Sequence, residues 1–222
     1  MTILANVKKV EAAIVRACEK AGRDRSSVRL IAATKYVEAG EIVQLMHAGL
    51  REVGENKVQS AREKQNRVQG MTWHMLGHLQ SNKVKEALRL FSMIHSVDSV
   101  HIAEELNRYS AGLKKAREIL LEVNVALEDT KFGVQPDQLT ELFGQVYQFP
   151  NIRLVGLMCM APYSDDPEAS RPYFRRLREL RDGLQQRFSH ALPQLSIGMS
   201  GDFEVAIEEG ATMIRVGRAL FA

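Results

Sequence analysis

The chain has 222 residues, 45% of them hydrophobic and 26% charged, and a net charge of +3 with neutral histidines. That composition is typical of a soluble globular protein and excludes the disordered and membrane-embedded classes. So slight a positive balance argues against a nucleic-acid partner. The densest basic stretch, Arg171 to Arg181, spreads five arginines among apolar residues at helical spacing, the pattern of a solvated helix face.

Ile3, Val7, Val10, Ile14 and Ala17 recur at steps of four and three, which predicts an amphipathic N-terminal helix. These opening residues lack the apolar core and cleavage site of a signal peptide, and no apolar stretch approaches membrane-spanning length. Cys18 and Cys159 have neither zinc-site nor disulfide-framework spacing. A cytoplasmic protein with no membrane partner is the expectation.

Strand-like runs then follow at Val28 to Thr34, Leu50 to Gly54, Thr72 to Gly77, Met93 to Val97, Ile119 to Val125, Ile152 to Met160, Leu195 to Met199 and Met213 to Val216. Helical stripes separate them, with Asp166-Pro167 as a start signal and Gly49 and Gly210 as stops. Strict alternation of this kind predicts a parallel sheet covered by helices, because each parallel pair needs a crossover. Eight strands close into a barrel. No Gly-x-Gly-x-x-Gly turn supports an open doubly wound sheet. The expected fold is α/β, a single (β/α)8 barrel over residues 1–222. Almost no chain follows the last strand, so the extra N-terminal helix is expected to cover that gap.

In such a barrel the chemistry gathers at the C-terminal strand ends. Lys35 emerges after the first strand, where desolvation by the barrel walls would free its amine to attack an aldehyde; a lysine stem lying on apolar surface is the plain alternative. Glu55-Asn56, His78, Asp98, Ser200 and Gly217 follow other strands. Ser200, within Gly198-Met199-Ser200-Gly201-Asp202, and Gly217 sit after the seventh and eighth strands, where barrels commonly hold phosphate. Ser200 and Asp202 equally suit capping of a helix near Phe203. Arg215, inside an apolar run, must be paired or face a ligand if it points inward, and alternation leaves its face open. His74 and His78, four apart on a predicted strand, stand about 13 Å from each other, which argues against a metal pair. Tyr36 and Tyr163 could touch a ligand, although rim packing is the commoner role for such tyrosines.

These residues fall in longer motifs: A-A-T-K-Y at Ala32 to Tyr36, V-G-E-N-K-V-Q at Val53 to Gln59, W-H-M-L-G-H-L-Q-S-N-K at Trp73 to Lys83 and H-S-V-D-S at His95 to Ser99. D-T-K-F-G at Asp129 to Gly133, G-L-M-C-M at Gly156 to Met160 and the run from Leu195 to Gly217 continue the set. In these motifs the chain resembles the pyridoxal phosphate homeostasis family over nearly its whole length.

The resemblance implies a barrel like the alanine racemase N-terminal domain, with pyridoxal 5'-phosphate held as an aldimine on Lys35. It further implies that Ser200 and the backbone of Gly217 and Arg218 hold the phosphate, that Arg215 faces the pyridine nitrogen, and that Asn56 and Met158 line the cofactor. Two positions depart from the family pattern. Arg218 stands where a small hydroxylated residue is common, and Ala222 follows Phe221 where glycine is usual.

The function so implied is intracellular cofactor homeostasis by a monomer, through buffering or delivery to apo-enzymes, with effects on amino acid and keto acid balance. A low-activity racemase or lyase is the alternative; a two-base racemase needs a second base, supplied in related enzymes by an added domain for which this chain leaves no length. A barrel binding some other phosphorylated metabolite is the third reading.

Overall fold

The computed structural model describes residues 2–113, 116–128 and 130–222. Asp129, the first residue of one quoted motif, lies outside them. The chain opens with helix α1 (Ile3–Lys20), whose Thr2 hydroxyl accepts from the Ala5 N–H at 3.3 Å. There follow β1 (Arg29–Ala33), α2 (Ala39–His47), β2 (Glu52–Glu55), α3 (Val58–Gln65), β3 (Thr72–Met75), α4 (Val84–Leu90), β4 (Met93–Val97) and α5 (Val100–Ser110). The second half adds β5 (Arg117–Glu122), α6 (Leu139–Val146), β6 (Ile152–Met158), α7 (Arg171–Phe188), β7 (Gln194–Ser196), α8 (Phe203–Glu208), β8 (Met213–Val216) and α9 (Arg218–Phe221).

All eight strands are parallel and pair in sequence order, and β8 returns to β1 to close the barrel. Each predicted run contains a strand or overlaps one. Several strands stop short of the predicted end because the chain leaves the sheet to build the rim. Gly77, for instance, falls beyond β3, where a Cβ would stand 2.5 Å from the Asn56 carbonyl oxygen. One expectation is corrected at the C-terminal side: β8 does have its own helix, the four-residue α9. Helix α1 lies against α2, α8 and α9. The buried Asn6 ties it down by donating to the Leu220 and Ala222 carbonyls at 3.1 and 2.9 Å.

The main apolar core lies between strands and helices. A smaller cluster, Ile31, Met93, Leu120, Val155, Met158 and Met213, fills the barrel interior. Buried beside it are polar side chains that include His74, His95, Ser196, Arg215 and Glu122. So much polarity inside a small barrel calls for a complete set of hydrogen-bond partners.

Candidate functional site

A cavity of about 620 Å³ opens at the C-terminal ends of the strands, a volume within the roughly 300–1,000 Å³ usual for small-ligand sites. Lys35, Asn56, Ser200, Arg215, Gly217 and Arg218 all line it. Met158 does not: it is 1% exposed within the interior cluster, and Met160, two residues further on, supplies the wall. The reason is periodicity: β6 ends at Met158, so the residue that reaches the mouth lies past the strand.

At one end of the cavity the loop after β7 meets the start of α9. Gly198 adopts φ +88°, and a Cβ there would stand 2.6 Å from the Ala206 Cβ, so only glycine fits this turn. The loop is held from within by the Asp202 carboxylate, which accepts from the Met199 N–H at 2.6 Å and from the Ser170 hydroxyl at 2.9 Å. Neither Ser200 nor Asp202 caps α8 through its side chain. Instead the Ser200 oxygen accepts from the N–H groups of Gly217 and Ala219 at 3.1 and 3.3 Å, joining the two loops. With its lone pairs so engaged, the hydroxyl's own proton is left to donate into the cavity, which suits an anionic ligand.

Arg215 points inward, settling what alternation left open. It is 6% exposed, and its Nη1 donates to the Ser196 carbonyl at 2.6 Å and the Ser196 hydroxyl at 2.7 Å, while Nη2 donates to the Cys159 carbonyl at 2.9 Å. Of its five N–H donors, two have no protein acceptor among the described residues, and the guanidinium borders the cavity. Burial lowers its pKa, opposed by the surrounding Cys159, Glu122 and Asp202, yet a guanidinium stays charged. No carboxylate stands within ion-pair distance of it among the described residues. A buried cation with unspent donors at a cavity wall is arranged for an acceptor on a ligand.

Lys35 is corrected in one respect. It follows β1 as expected, but it is exposed at the mouth rather than enclosed by barrel walls, with Nζ 4.8 Å from the centroid of the Tyr36 ring. The desolvation argued from sequence is therefore absent. What fixes its position is the buried cluster behind it. The Thr34 hydroxyl donates to Glu55 Oε1 at 2.6 Å, and Lys64 Nζ donates to Glu55 Oε1 at 2.7 Å and to the Thr34 carbonyl at 2.8 Å. Thr34 precedes Lys35 and Glu55 precedes Asn56, so one buried ion pair anchors the backbone under both.

Tyr36 and Tyr163 both line the cavity and are 86% and 75% exposed. Glu41, Lys131 and Met199 lie in the same wall; none has a role assigned from sequence, and Glu41 sits within α2 rather than at a strand end. His78 lies at the rim, its Nδ1 3.1 Å from Asp98 Oδ2 and its ring stacked on Phe132 with centroids 4.0 Å apart. His74 is elsewhere, buried inside the barrel.

The family model described as alanine racemase, N-terminal domain, matches residues 6–222. A pyridoxal phosphate homeostasis protein of Aquifex aeolicus (strain VF5) is 44% identical over 223 residues, which cover 100% of this chain and 98% of its own. The chain belongs to the pyridoxal phosphate homeostasis protein family.

Another similar structure is that of PipY from Synechococcus elongatus PCC7942, solved with PLP bound; it superposes with a TM-score of 0.82 at 36% identity, covering 95% of this chain and 100% of that one. Alanine racemase of Clostridium difficile 630 superposes at 0.74 with 13% identity, covering 95% of this chain and 58% of that one, a likeness of fold. The residues in this family member's cavity fit the cofactor that the family name carries. An amine stands at the mouth, the Ser200 hydroxyl and the backbone of Gly217 lie in the wall, and a guanidinium with two unspent donors borders the cavity.

Proposed function

We propose that this chain binds pyridoxal 5'-phosphate in the cavity at the strand ends and acts in its intracellular homeostasis as a monomer. It buffers the cofactor or delivers it to apo-enzymes, and thereby influences amino acid and keto acid balance. The observation that carries this reading is the convergence of Lys35, Ser200, Gly217 and Arg215 on one cavity. When bound, the cofactor supplies an aldehyde for amines and a ring that accepts electron density.

In this assignment Lys35 holds the aldehyde covalently, Ser200 with the backbone of Gly217 and Arg218 holds the phosphate, and Arg215 donates to the ring nitrogen. Asn56 lines the ring, and Met160 takes the wall expected of Met158. A donor arginine leaves the ring nitrogen without a proton and weakens the ring as an electron sink, which favours a carrier over a catalyst of carbanion chemistry. The exposure of Lys35 favours the same reading, because an incoming amine can reach the aldehyde carbon.

The test is a visible absorption spectrum of the protein reconstituted with pyridoxal phosphate, before and after borohydride, beside Lys35→Ala. The expected result is a band abolished by reduction, with the label on Lys35 and no such band in the variant. A protein that stays colourless after reconstitution would overturn the reading and leave a barrel for some other phosphorylated metabolite.

A further inference from the structure

The barrel interior carries a polar line that cofactor binding alone does not explain. Arg215 Nη1 donates to Ser196 Oγ at 2.7 Å, Ser196 Oγ lies 2.9 Å from His95 Nδ1, and His95 Nε2 lies 3.0 Å from His74 Nδ1. His74 Nε2 lies 3.2 Å from Glu52 Oε2, an ion-pair distance without hydrogen-bond alignment, and Glu52 accepts from Arg29 Nε and Nη2 at 2.9 and 2.7 Å. Arg29 and Glu52 open their strands and Arg215 borders the cavity at the other end, so the line crosses the barrel from one mouth to the other. His74, His95 and Ser196 are each at or below 1% exposure.

Arginine has no acceptor, so Ser196 Oγ accepts from Arg215, but its second lone pair leaves the Ser196–His95 direction to be set from the other end. A neutral His74 keeps its proton on Nε2, the nitrogen beside the Glu52 carboxylate, so its Nδ1 accepts from His95 Nε2. His95 Nδ1 then accepts from the Ser196 hydroxyl. Protonating either histidine would reverse the Ser196–His95 link, leaving Ser196 Oγ to accept from both Arg215 and His95 Nδ1. Burial also disfavours the imidazolium at both positions.

We infer that Ser196, His95 and His74 are positioning residues that hold the Arg215 guanidinium through one directional hydrogen-bonded line ending at His74, beside the Glu52 carboxylate at the far end of the barrel. Replacing buried polar pairs by well-packed apolar residues is often neutral or stabilising, so stability alone does not call for these three residues. The polar line is instead the arrangement that keeps a buried cation turned so that its remaining N–H groups face the cavity. The role of those N–H groups toward a ring nitrogen rests on the function proposed above; the orientation of the line does not.

The experiment is nitrogen-15 NMR of the imidazole and guanidinium groups in the ligand-free protein at neutral pH, for wild type, His95→Leu and His95→Gln. In wild type both His74 and His95 are expected to be neutral with the proton on Nε2, and the Arg215 Nη signals to be resolved by hindered rotation. His95→Leu is expected to collapse those Nη signals. His95→Gln, whose amide can accept from Ser196 and donate to His74, is expected to restore them. In the same series pyridoxal phosphate is expected to dissociate about tenfold faster from His95→Leu, the loss of roughly one charge-assisted hydrogen bond, and near the wild-type rate from His95→Gln.

A proton on Nδ1 of either histidine in wild type would overturn the inference without any variant, as would Arg215 signals indifferent to His95→Leu. A wild type that shows the expected signals but binds no pyridoxal phosphate would sink the proposed function and leave the line standing.

Discussion

Gly198 shows how narrowly a single residue determines the ligand end of the cavity. Its φ of +88° lies in the left-handed region, and the space a side chain would need is already taken by Ala206, 2.6 Å from where a Cβ would sit. Gly198→Ala therefore meets both backbone strain and overpacking, together about 2–4 kcal/mol. Chemical denaturation should find that loss, and because the turn carries Ser200 the variant's affinity for pyridoxal phosphate should fall with it. A glycine there was readable from sequence only as a flank of Ser200. The other partners of Ser200 could not be read, because Gly217 and Ala219 lie 17 and 19 residues away and meet it only once the barrel closes. Arg215 was ambiguous for the same reason: its partners Ser196 and Cys159 lie 19 and 56 residues distant.

At the scale of elements, the junctions of β1 and β2 with their loops depend on one buried ion pair. Glu55 is 1% exposed, and Lys64, on the second turn of α3, is 8% exposed. Lys64→Met would strand the Glu55 carboxylate with the Thr34 hydroxyl as its remaining partner, at a cost of about 3–5 kcal/mol. Adding Glu55→Gln removes the stranded charge, so the double variant should be more stable than Lys64→Met alone in urea titration. Equal stability of the two would mean that water reaches Glu55 and the pair is not what anchors Lys35. Strand order and the alternation of elements were legible, since apolar runs and stripes of the right length recur down the chain. Lys64 was not, because a lysine in the polar stretch around Val58 and Ala61 reads as solvated until α3 is laid across the β1 and β2 ends. Nor was the exposure of Lys35, since a position after a buried strand does not say whether the neighbouring loops close over it.

For the whole molecule, the barrel interior sets a pH dependence in which groups of opposite sign compete. Glu122, at the end of β5, is raised from 4.5 to about 7 by burial and by the nearby Asp98, with Arg215 pulling the other way. A carboxyl raised in the fold contributes most when protonated, so its contribution is full below about pH 4.5 and declines by about 3 kcal/mol as pH rises to 7. Glu52 has the opposite sign. Burial works against its charge, but His74 and Arg29 hold it down at about 2, so its contribution is present above pH 4.5 and lost toward pH 2. His74 and His95 are lowered by burial and stay neutral in the fold, so they oppose Glu122 below about pH 6.5, where the unfolded chain takes up protons that the fold refuses. Glu122→Gln removes one competitor. Above pH 7 the variant should be more stable than wild type by up to about 3 kcal/mol, the advantage should shrink steadily as pH falls, and near pH 4 the two should coincide. Thermal melts from pH 4 to 9 read this directly. An advantage equal at every pH would mean that folding leaves the protonation of Glu122 unchanged, so that burial does not raise it.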